Sequence, residues 1–271
     1  MGAAFALTSA LLYGIADVTG GLLSRRAGFA IVALLGQAGG LVLTAVLAPV
    51  LPGTATSAGF AWGGLSGLGT GIGMVFLYRG ISRGAMSVVV PVSAVGGLAI
   101  PALAGVVLLG DRPSGPAVAG MVLSVPALAL VSYRDRGTEG GVADGLLASV
   151  AIAVQYFALA QAGPETGLWP VLAGRITATL AVLPMAWRTR RLPGARITAG
   201  AVATGWSATL ALVAYLLATR EQLLSIAVVL SSLYPAIPVL LGLTVLRERV
   251  NSAQVTGLLG AGAAIVLLTL G

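Results

Sequence analysis

Two charged residues interrupt apolar stretches of this sequence, and both could bind a charged ligand. Asp17 lies within ALLYGIADVTGGLL, residues 10–23, and Arg175 lies within VLAGRITATL, residues 171–180. An ionised side chain at the centre of a bilayer costs about 2.5–3.5 kcal/mol on insertion scales, so such a residue is a candidate for function. Two interpretations of Asp17 stay open. It is either a proton- or cation-responsive carboxylate facing a central cavity, or a carboxylate near the membrane surface that reaches water or the arginines after this run.

Arg175 also has two interpretations. Its guanidinium cannot lose its charge, so it must face protein or water and find hydrogen-bond acceptors. It therefore either has a structural role or binds the carboxylate of a substrate. Asp17 and Arg175 are candidate partners of each other as well, although their estimated depths differ by about 9 Å at 1.5 Å per residue.

The stretches that hold these residues are predicted to cross a membrane. Of the 271 residues, 58% are hydrophobic and only 8% are charged, whereas a soluble domain carries about 25% charged residues. Apolar runs of about 20 residues, the length of a helix that crosses about 30 Å of hydrocarbon, follow one another along the chain. The sequence predicts an all-α polytopic membrane protein with ten transmembrane helices, at 3–23, 28–50, 58–79, 85–109, 115–133, 142–161, 167–187, 197–219, 224–246 and 252–270.

The missing residue types exclude several kinds of chemistry. The chain has no Cys and no His, so thiol catalysis and a His-dependent intramembrane protease are excluded. It has no Lys, so a phosphate-binding Gly-Lys loop is excluded too. Asp17 and Asp111 are predicted near opposite membrane faces and cannot form an aspartyl-protease pair. We therefore expect no enzyme, no cofactor and no metal site, and no ring of like charges indicates a channel.

The arginines predict the orientation of the chain. Twelve of the fifteen lie in odd-numbered loops, and only Arg112 and Arg220 lie in even-numbered ones. The positive-inside rule then places the odd loops in the cytoplasm and both termini outside. The net charge of +7 is attributed to this anchoring rather than to nucleic acid. We expect a multi-pass protein of a bacterial inner membrane, with no cleavable signal peptide because no basic residue precedes the first apolar run.

The two halves of the sequence repeat each other. A shift of 137 residues places IPALAGVVLLGDRPSGPAVAG (100–120) on IPVLLGLTVLRERVNSAQVTG (237–257). We predict a first repeat over 1–136, a linker over 137–141 and a second repeat over 142–271. Because each repeat has five helices, the second is inserted upside down, and inverted repeats are typical of transporters. Gln37 is the first-half equivalent of Arg175.

The sequence resembles the EamA-like, ten-helix branch of the drug/metabolite transporter superfamily over essentially its whole length. The best local match is an apolar helix that ends in LLGDR (108–112) or VLRER (245–249), followed by a short helix containing glycine. The resemblance implies a secondary transporter of small organic metabolites by alternating access, with export expected. Amino acids and related zwitterions or amines are the expected cargo, and cationic drugs bound by Asp17 alone are the alternative. A non-transporting scaffold is the other alternative.

The resemblance also implies that helices 1, 3, 4, 6, 8 and 9 line the cavity. Polar and aromatic residues near the middle of these spans are then candidate substrate contacts, beside Asp17 and Arg175: Tyr13, Thr70, Ser93, Gln155, Tyr156, Trp206, Tyr215, Ser231, Ser232 and Tyr234. Tyrosine, indole and hydroxyl groups suit a moderately polar organic molecule. Beyond the lipid bilayer, the expected partners are this small molecule and protons, and the protein is expected to be a monomer or a homodimer.

Glycine and proline suggest how the helices pack and bend. Helix 3 contains GGLSGLGTGIG (63–73), and glycines at four-residue spacing allow close helix packing or a pliable gate. Prolines in helices 4 and 9 permit kinks, so we expect gating at Pro91, Pro101, Pro235 and Pro238. The acidic residues of the matched Asp111-Arg112 and Glu248-Arg249 turns are expected to form helix-end ion pairs or caps.

Overall fold

The computed structural model describes residues 1–110, 112–133, 139–188, 193–221 and 230–270. These residues form ten α-helices: α1 (Gly2–Ala27), α2 (Phe29–Leu47), α3 (Ser57–Arg83), α4 (Met86–Ala104), α5 (Gly115–Val131), α6 (Glu139–Ala160), α7 (Trp169–Trp187), α8 (Ala195–Glu221), α9 (Ala236–Thr244) and α10 (Ser252–Thr269). A π-helical turn, Gly105–Leu109, continues α4, and a short 3-10 helix, Pro164–Thr166, precedes α7.

Eight helices in the described part of the chain are long and apolar enough to cross a membrane. The prediction of an all-α polytopic membrane protein is confirmed at this level. Most helix ends fall within a few residues of the predicted spans. The helix α3 continues four residues further than predicted, to Arg83, and α6 begins at Glu139. Residues 139–141 of the predicted linker are therefore helical, while 137 and 138 lie outside the described residues.

The ninth predicted span, 224–246, differs from a continuous helix. Its residues 224–229 lie outside the described part, and residues 232–235 form a turn before α9 begins. The N–H groups of Tyr234 and Ala236 bond to carbonyl groups three residues earlier. Pro235 has no N–H and disfavours helical geometry at the residue before it, so the helix is interrupted there. By contrast, α4 stays helical through both of its prolines, Pro91 and Pro101.

The helices pack in groups that do not follow chain order. The helix α3 packs mainly against α6 and α7, and α4 packs mainly against α6. In the same way α8 packs against α1 and α2, while α5 pairs with α10. Glycines make these contacts close. A β-carbon at Gly67 would overlap Gly174 and Thr177 of α7, and one at Gly205 would overlap the Gly36 backbone of α2.

Candidate functional site

Four of the six tyrosines lie within electrostatic reach of Asp17 in the interior of the bundle. They are Tyr13, Tyr78, Tyr156 and Tyr234. Tyr215 interacts in turn with Tyr13 and Tyr156. These residues come from α1, α3, α6, α8 and the turn before α9, so helices of both halves of the chain build the cluster.

Asp17 is only 8% exposed. It forms no hydrogen bond or ion pair with any residue in the described part of the chain. The arginines that follow in α1 do not reach it, since Arg25 pairs with Glu248 instead. A buried carboxylate without a counter-ion is costly, and aromatic rings around a carboxylate form a recognised setting for an ammonium group. The arrangement can therefore bind a cationic group.

Two of the tyrosines contact each other, and Tyr156 is partly exposed. The rings of Tyr13 and Tyr234 lie with centroids 6.0 Å apart at an interplanar angle of 54°. Tyr156 shares a face of α6 with Ile152 and Ser149, which pack against Gly97 and Gly96 of α4. Although this face points inward, Tyr156 is 37% exposed. Its ring is therefore partly accessible from outside the bundle.

Arg175 occupies the contact between α2 and α7. Its Nη1 donates a hydrogen bond of 2.7 Å to Oε1 of Gln37, which is 3% exposed. The guanidinium also lies against Gly40, where a β-carbon would be 3.0 Å from Cζ. The structure forms no ion pair between Arg175 and Asp17 within the described residues. Instead, both charges act on Tyr13 and Tyr78, two phenols that lie within electrostatic reach of each.

Several predicted site residues have local partners. The hydroxyl of Thr70 donates to the carbonyl of Ser66, and the hydroxyl of Ser93 donates to that of Val90. Ser231 donates to the carbonyl of Ala6 in α1 at 3.3 Å. These hydroxyls are held by backbone carbonyls, so they are less available to a ligand than the tyrosines are.

The remaining predicted residues lie at different places in the bundle. Ser232 belongs to the turn before α9. Gln155 is half-buried, and its backbone packs against Gly69 of α3. Trp206 is 47% exposed and shares the outer face of α8 with Leu210, which is 44% exposed. The structure thus brings the tyrosines together around Asp17 and leaves the indole on the outer surface.

The four predicted gating prolines lie in two different settings. Pro91 and Pro101 are inside α4, and Pro91 is buried. Pro235 is the last residue of the turn that precedes α9, and Pro238 lies in the first turn of α9. In that first turn an N–H has no intrahelical partner, so Pro238 costs the helix no hydrogen bond. The bend in this segment is therefore at Pro235.

Sequence reasoning missed two features of this region. Tyr78 was placed next to the predicted end of helix 3, but α3 continues to Arg83, and the Tyr78 phenol contacts Gly20 of α1. Asp144 is 3% exposed and accepts two hydrogen bonds from Arg79, one from Nε at 2.9 Å. The sequence offered one signal for this ion pair: Asp144 lies two residues inside the sixth predicted span, and Arg79 lies at the end of the third.

Glu248, in the chain between α9 and α10, caps the start of α4. Its two carboxylate oxygens accept the N–H groups of Met86 and Ser87, each at 2.8 Å, at the start of α4. Arg25 of α1 lies 3.6 Å from the same carboxylate. This residue is thus a helix cap and one member of an ion pair, with Arg25 rather than with Arg249. Asp111, its predicted equivalent, lies outside the described residues.

A metal centre has no support in the described ranges, where no three His, Cys, Asp or Glu residues form a group that could hold an ion.

No protein-family profile matches the sequence, and no curated protein matches it either. Eleven chains of known structure do match. One of them, described only as "Crystal structure of protein", aligns over 99% of this chain and 98% of its own, with a TM-score of 0.60 and 19% identity. This likeness shows a shared fold along the whole chain.

Proposed function

We propose that this protein is a secondary transporter of small organic metabolites, with amino acids and related zwitterions or amines as its cargo. The observation that carries the proposal is Asp17, a buried carboxylate without a counter-ion among the described residues, with four tyrosines within its electrostatic reach, of which Tyr156 is partly exposed. A carboxylate with aromatic walls suits an ammonium group. Arg175, beyond Tyr13 and Tyr78, suits the carboxylate at the other end of a zwitterion.

The proposal includes ten spans in two inverted five-helix repeats, as in the EamA-like transporters that the sequence resembles. Helix packing supports it. If α6, α7 and α8 repeat α1, α2 and α3, then the packing of α3 on α6 and α7 corresponds to that of α8 on α1 and α2. Gln37 and Arg175, which differ by one residue from the repeat shift of 137, also meet each other, as residues close to a pseudo-two-fold axis do. Such a pair of halves can expose a central site to either side in turn.

We place the protein in a bacterial inner membrane, with both termini outside and export as the direction. The arginine distribution supports this orientation. It puts Arg25, Arg79 and Glu248 at the cytoplasmic end of the bundle. The carrier is proposed to perform no chemical reaction, and a gradient of protons or of the substrate itself drives it.

Efflux of cationic drugs is the second candidate. The hydrogen bond between Arg175 and Gln37 favours it, because an arginine already held by a neighbouring helix has fewer donors left for a substrate carboxylate. In this case Asp17 and the tyrosine rings bind the cation alone, and Arg175 stabilises the contact between α2 and α7.

A thermal-shift panel tests the proposal. Purified protein is heated with amino acids, monoamines, organic anions and nucleosides, using the unchanged chain, Asp17→Asn and the control Glu165→Gln, which alters an exposed carboxylate. A ligand at 100 times its Kd stabilises the native state by about 2.7 kcal/mol. We expect an amine or zwitterion to stabilise the unchanged chain and the control, but not Asp17→Asn.

Arg175→Gln separates the two candidates. If Arg175→Gln no longer responds to zwitterions but still responds to monoamines, the result supports transport of zwitterions. If the variant responds to both classes of compound as the unchanged chain does, the result supports drug efflux. If Asp17→Asn responds to every ligand as the unchanged chain does, Asp17 lies outside the site and the proposal fails.

A further inference from the structure

We infer that Arg25 and Glu248 form a clasp that holds one end of the bundle closed, between two helix groups that each mix both halves of the sequence. The inference rests on the proposed transport function, because a clasp of this kind matters where a bundle must open. It concerns the conformation of the chain, however, and can be tested without any ligand.

The first group consists of α3, α4, α6 and α7. A β-carbon at Gly63 would overlap the backbone of Pro170 in α7, and one at Gly69 would lie 2.7 Å from the backbone nitrogen of Gln155 in α6. The helix α4 meets α6 at Gly145, where a β-carbon would lie 3.3 Å from the backbone carbonyl oxygen of Val89. Contacts of backbone against backbone leave no side chains to slide past one another. These four helices therefore move as one unit.

The second group consists of α1, α2 and α8. Gly205 of α8 lies against the backbone of Gly36, and Gly39 of α2 lies against that of Val202. Between α1 and α8, the hydroxyls of Thr19 and Thr204 are 3.0 Å apart. The boundary between rigid units therefore passes between α1 and α3 and between α2 and α7. It does not pass through the linker between the halves.

Arg25 and Glu248 bridge this boundary at one end. Arg25, in the last turn of α1, donates from Nε to the carbonyl of Ile81 at 3.1 Å and from Nη2 to that of Gly84 at 3.2 Å. Glu248 caps the start of α4 and lies 3.6 Å from Arg25. Arg25 of the second group thus binds the short connection from α3 to α4 in the first group, and Glu248 contacts both Arg25 and the start of α4.

The packing around this connection is closed. Each residue from Met86 to Gly97 is buried, whereas Leu98 and Ile100, further along α4, are partly exposed. Ile81 is fully buried and fills the space over Gly21 of α1. Opening this end requires the α3–α4 connection to leave α1, which means breaking the hydrogen bonds of Arg25 and its ion pair with Glu248. The clasp therefore sets how often this end opens.

Thiol labelling tests the clasp directly, because the chain has no Cys of its own. An Ile81→Cys protein in lipid nanodiscs is treated with a water-soluble methanethiosulfonate reagent, without any ligand. Labelling is then repeated with Arg25→Gln or Glu248→Gln added. We expect each of these changes to raise the labelling rate at least tenfold. The matched control is Arg26→Gln, the exposed neighbouring arginine, which should stay within twofold of the Ile81→Cys protein.

The outcomes separate the clasp from the transport proposal. Equal rates in all four proteins overturn the clasp, as does an equal acceleration by Arg26→Gln. Gel filtration and melting of each variant show that it is folded, and Arg25 and Glu248 provide two independent changes should one variant fail to fold. If labelling accelerates as expected but no compound in the thermal-shift panel binds, the clasp stands and the proposed function fails.

Discussion

Two ion pairs at the same end of the bundle differ in what they connect. Arg79 and Asp144 join α3 to α6, which lie in one group and pack through glycines. Arg25 and Glu248 join α1 and the chain after α9 to the connection between α3 and α4. The carboxylate is buried in both pairs, with its side chain 4% exposed in Asp144 and 10% in Glu248.

This difference assigns different roles to similar contacts. The pair of Arg79 and Asp144 stays formed when the groups move, so its energy contributes to the stability of the first group. The guanidinium of Arg79 also lies 4.6 Å from the ring centroid of Phe76 on the same helix. The contacts of Arg25 and Glu248 must break when that end opens, so their energy enters the conformational equilibrium.

The largest expected effect comes from breaking the packing inside a group. In Gly67→Ala the new methyl group would overlap Gly174 and Thr177, so α3 and α7 must separate. We expect little or no folded protein, as judged by monodisperse elution after purification. The control is Gly64→Ala on the same helix, where the methyl group would lie 3.6 Å from Thr177, an ordinary contact. Folded Gly67→Ala protein with an unchanged melting temperature would contradict the rigid-group description.

A smaller but still large effect is expected from Arg79→Ala. Removing the partner of a buried carboxylate costs about 3–5 kcal/mol, because the remaining charge is uncompensated. The stability is measured by SDS titration in mixed micelles. Arg83→Ala is the control, since Arg83 lies 3.8 Å from Asp144 with its side chain 56% exposed, and exposed pairs contribute about 0–1 kcal/mol. Equal losses in the two variants would show that Asp144 does not depend on Arg79.

The smallest effect on stability is expected from Glu248→Gln. Each carboxylate oxygen accepts one N–H at the start of α4. In Gln one of these oxygens becomes an NH2 donor that faces an N–H, so we expect a loss of about 1–2 kcal/mol. The same titration measures it. A loss as large as that of Arg79→Ala would mean that both pairs serve stability alike. In Glu248→Gln, a small loss of stability should accompany a large increase in the rate of thiol labelling. This combination would distinguish the pair of Arg25 and Glu248 from the pair of Arg79 and Asp144.

Hydropathy, together with the Gly-, Pro- and Arg-containing segments between apolar runs, predicted most of the helices. A long apolar run in a bilayer must satisfy its backbone hydrogen bonds internally, and a helix does so. The interruption at residues 232–235 was outside the reach of this reasoning. The predicted span that contains it, 224–246, is as apolar overall as a continuous span, and proline predicts a kink but not whether neighbouring helices hold the chain in a turn. By contrast, Pro101 lies within α4, and the helix continues through it.

The candidate site was predictable only in part. Asp17 and the tyrosines attracted notice as polar groups in apolar spans, and four of the five clustered tyrosines were predicted site residues. Tyr78 was missed because its depth depends on where α3 ends. The partners of Arg25 and Glu248 include backbone groups of α3 and α4. Nearly every residue type carries the same backbone groups, so the sequence does not show which of them a side chain will bind. The sequence could therefore indicate a cap at Glu248 but not the helix that it caps.

The hydrogen bond between Arg175 and Gln37 has a consequence for the membrane itself. The guanidinium keeps its positive charge at any physiological pH, and Gln37 holds it in the interior, within reach of Tyr13 and Tyr78. Under the proposed function this fixed positive charge lies near the central site, where it repels small metal ions that enter without a substrate. A cell could therefore keep many copies of this carrier in its membrane without discharging its gradients of small metal ions.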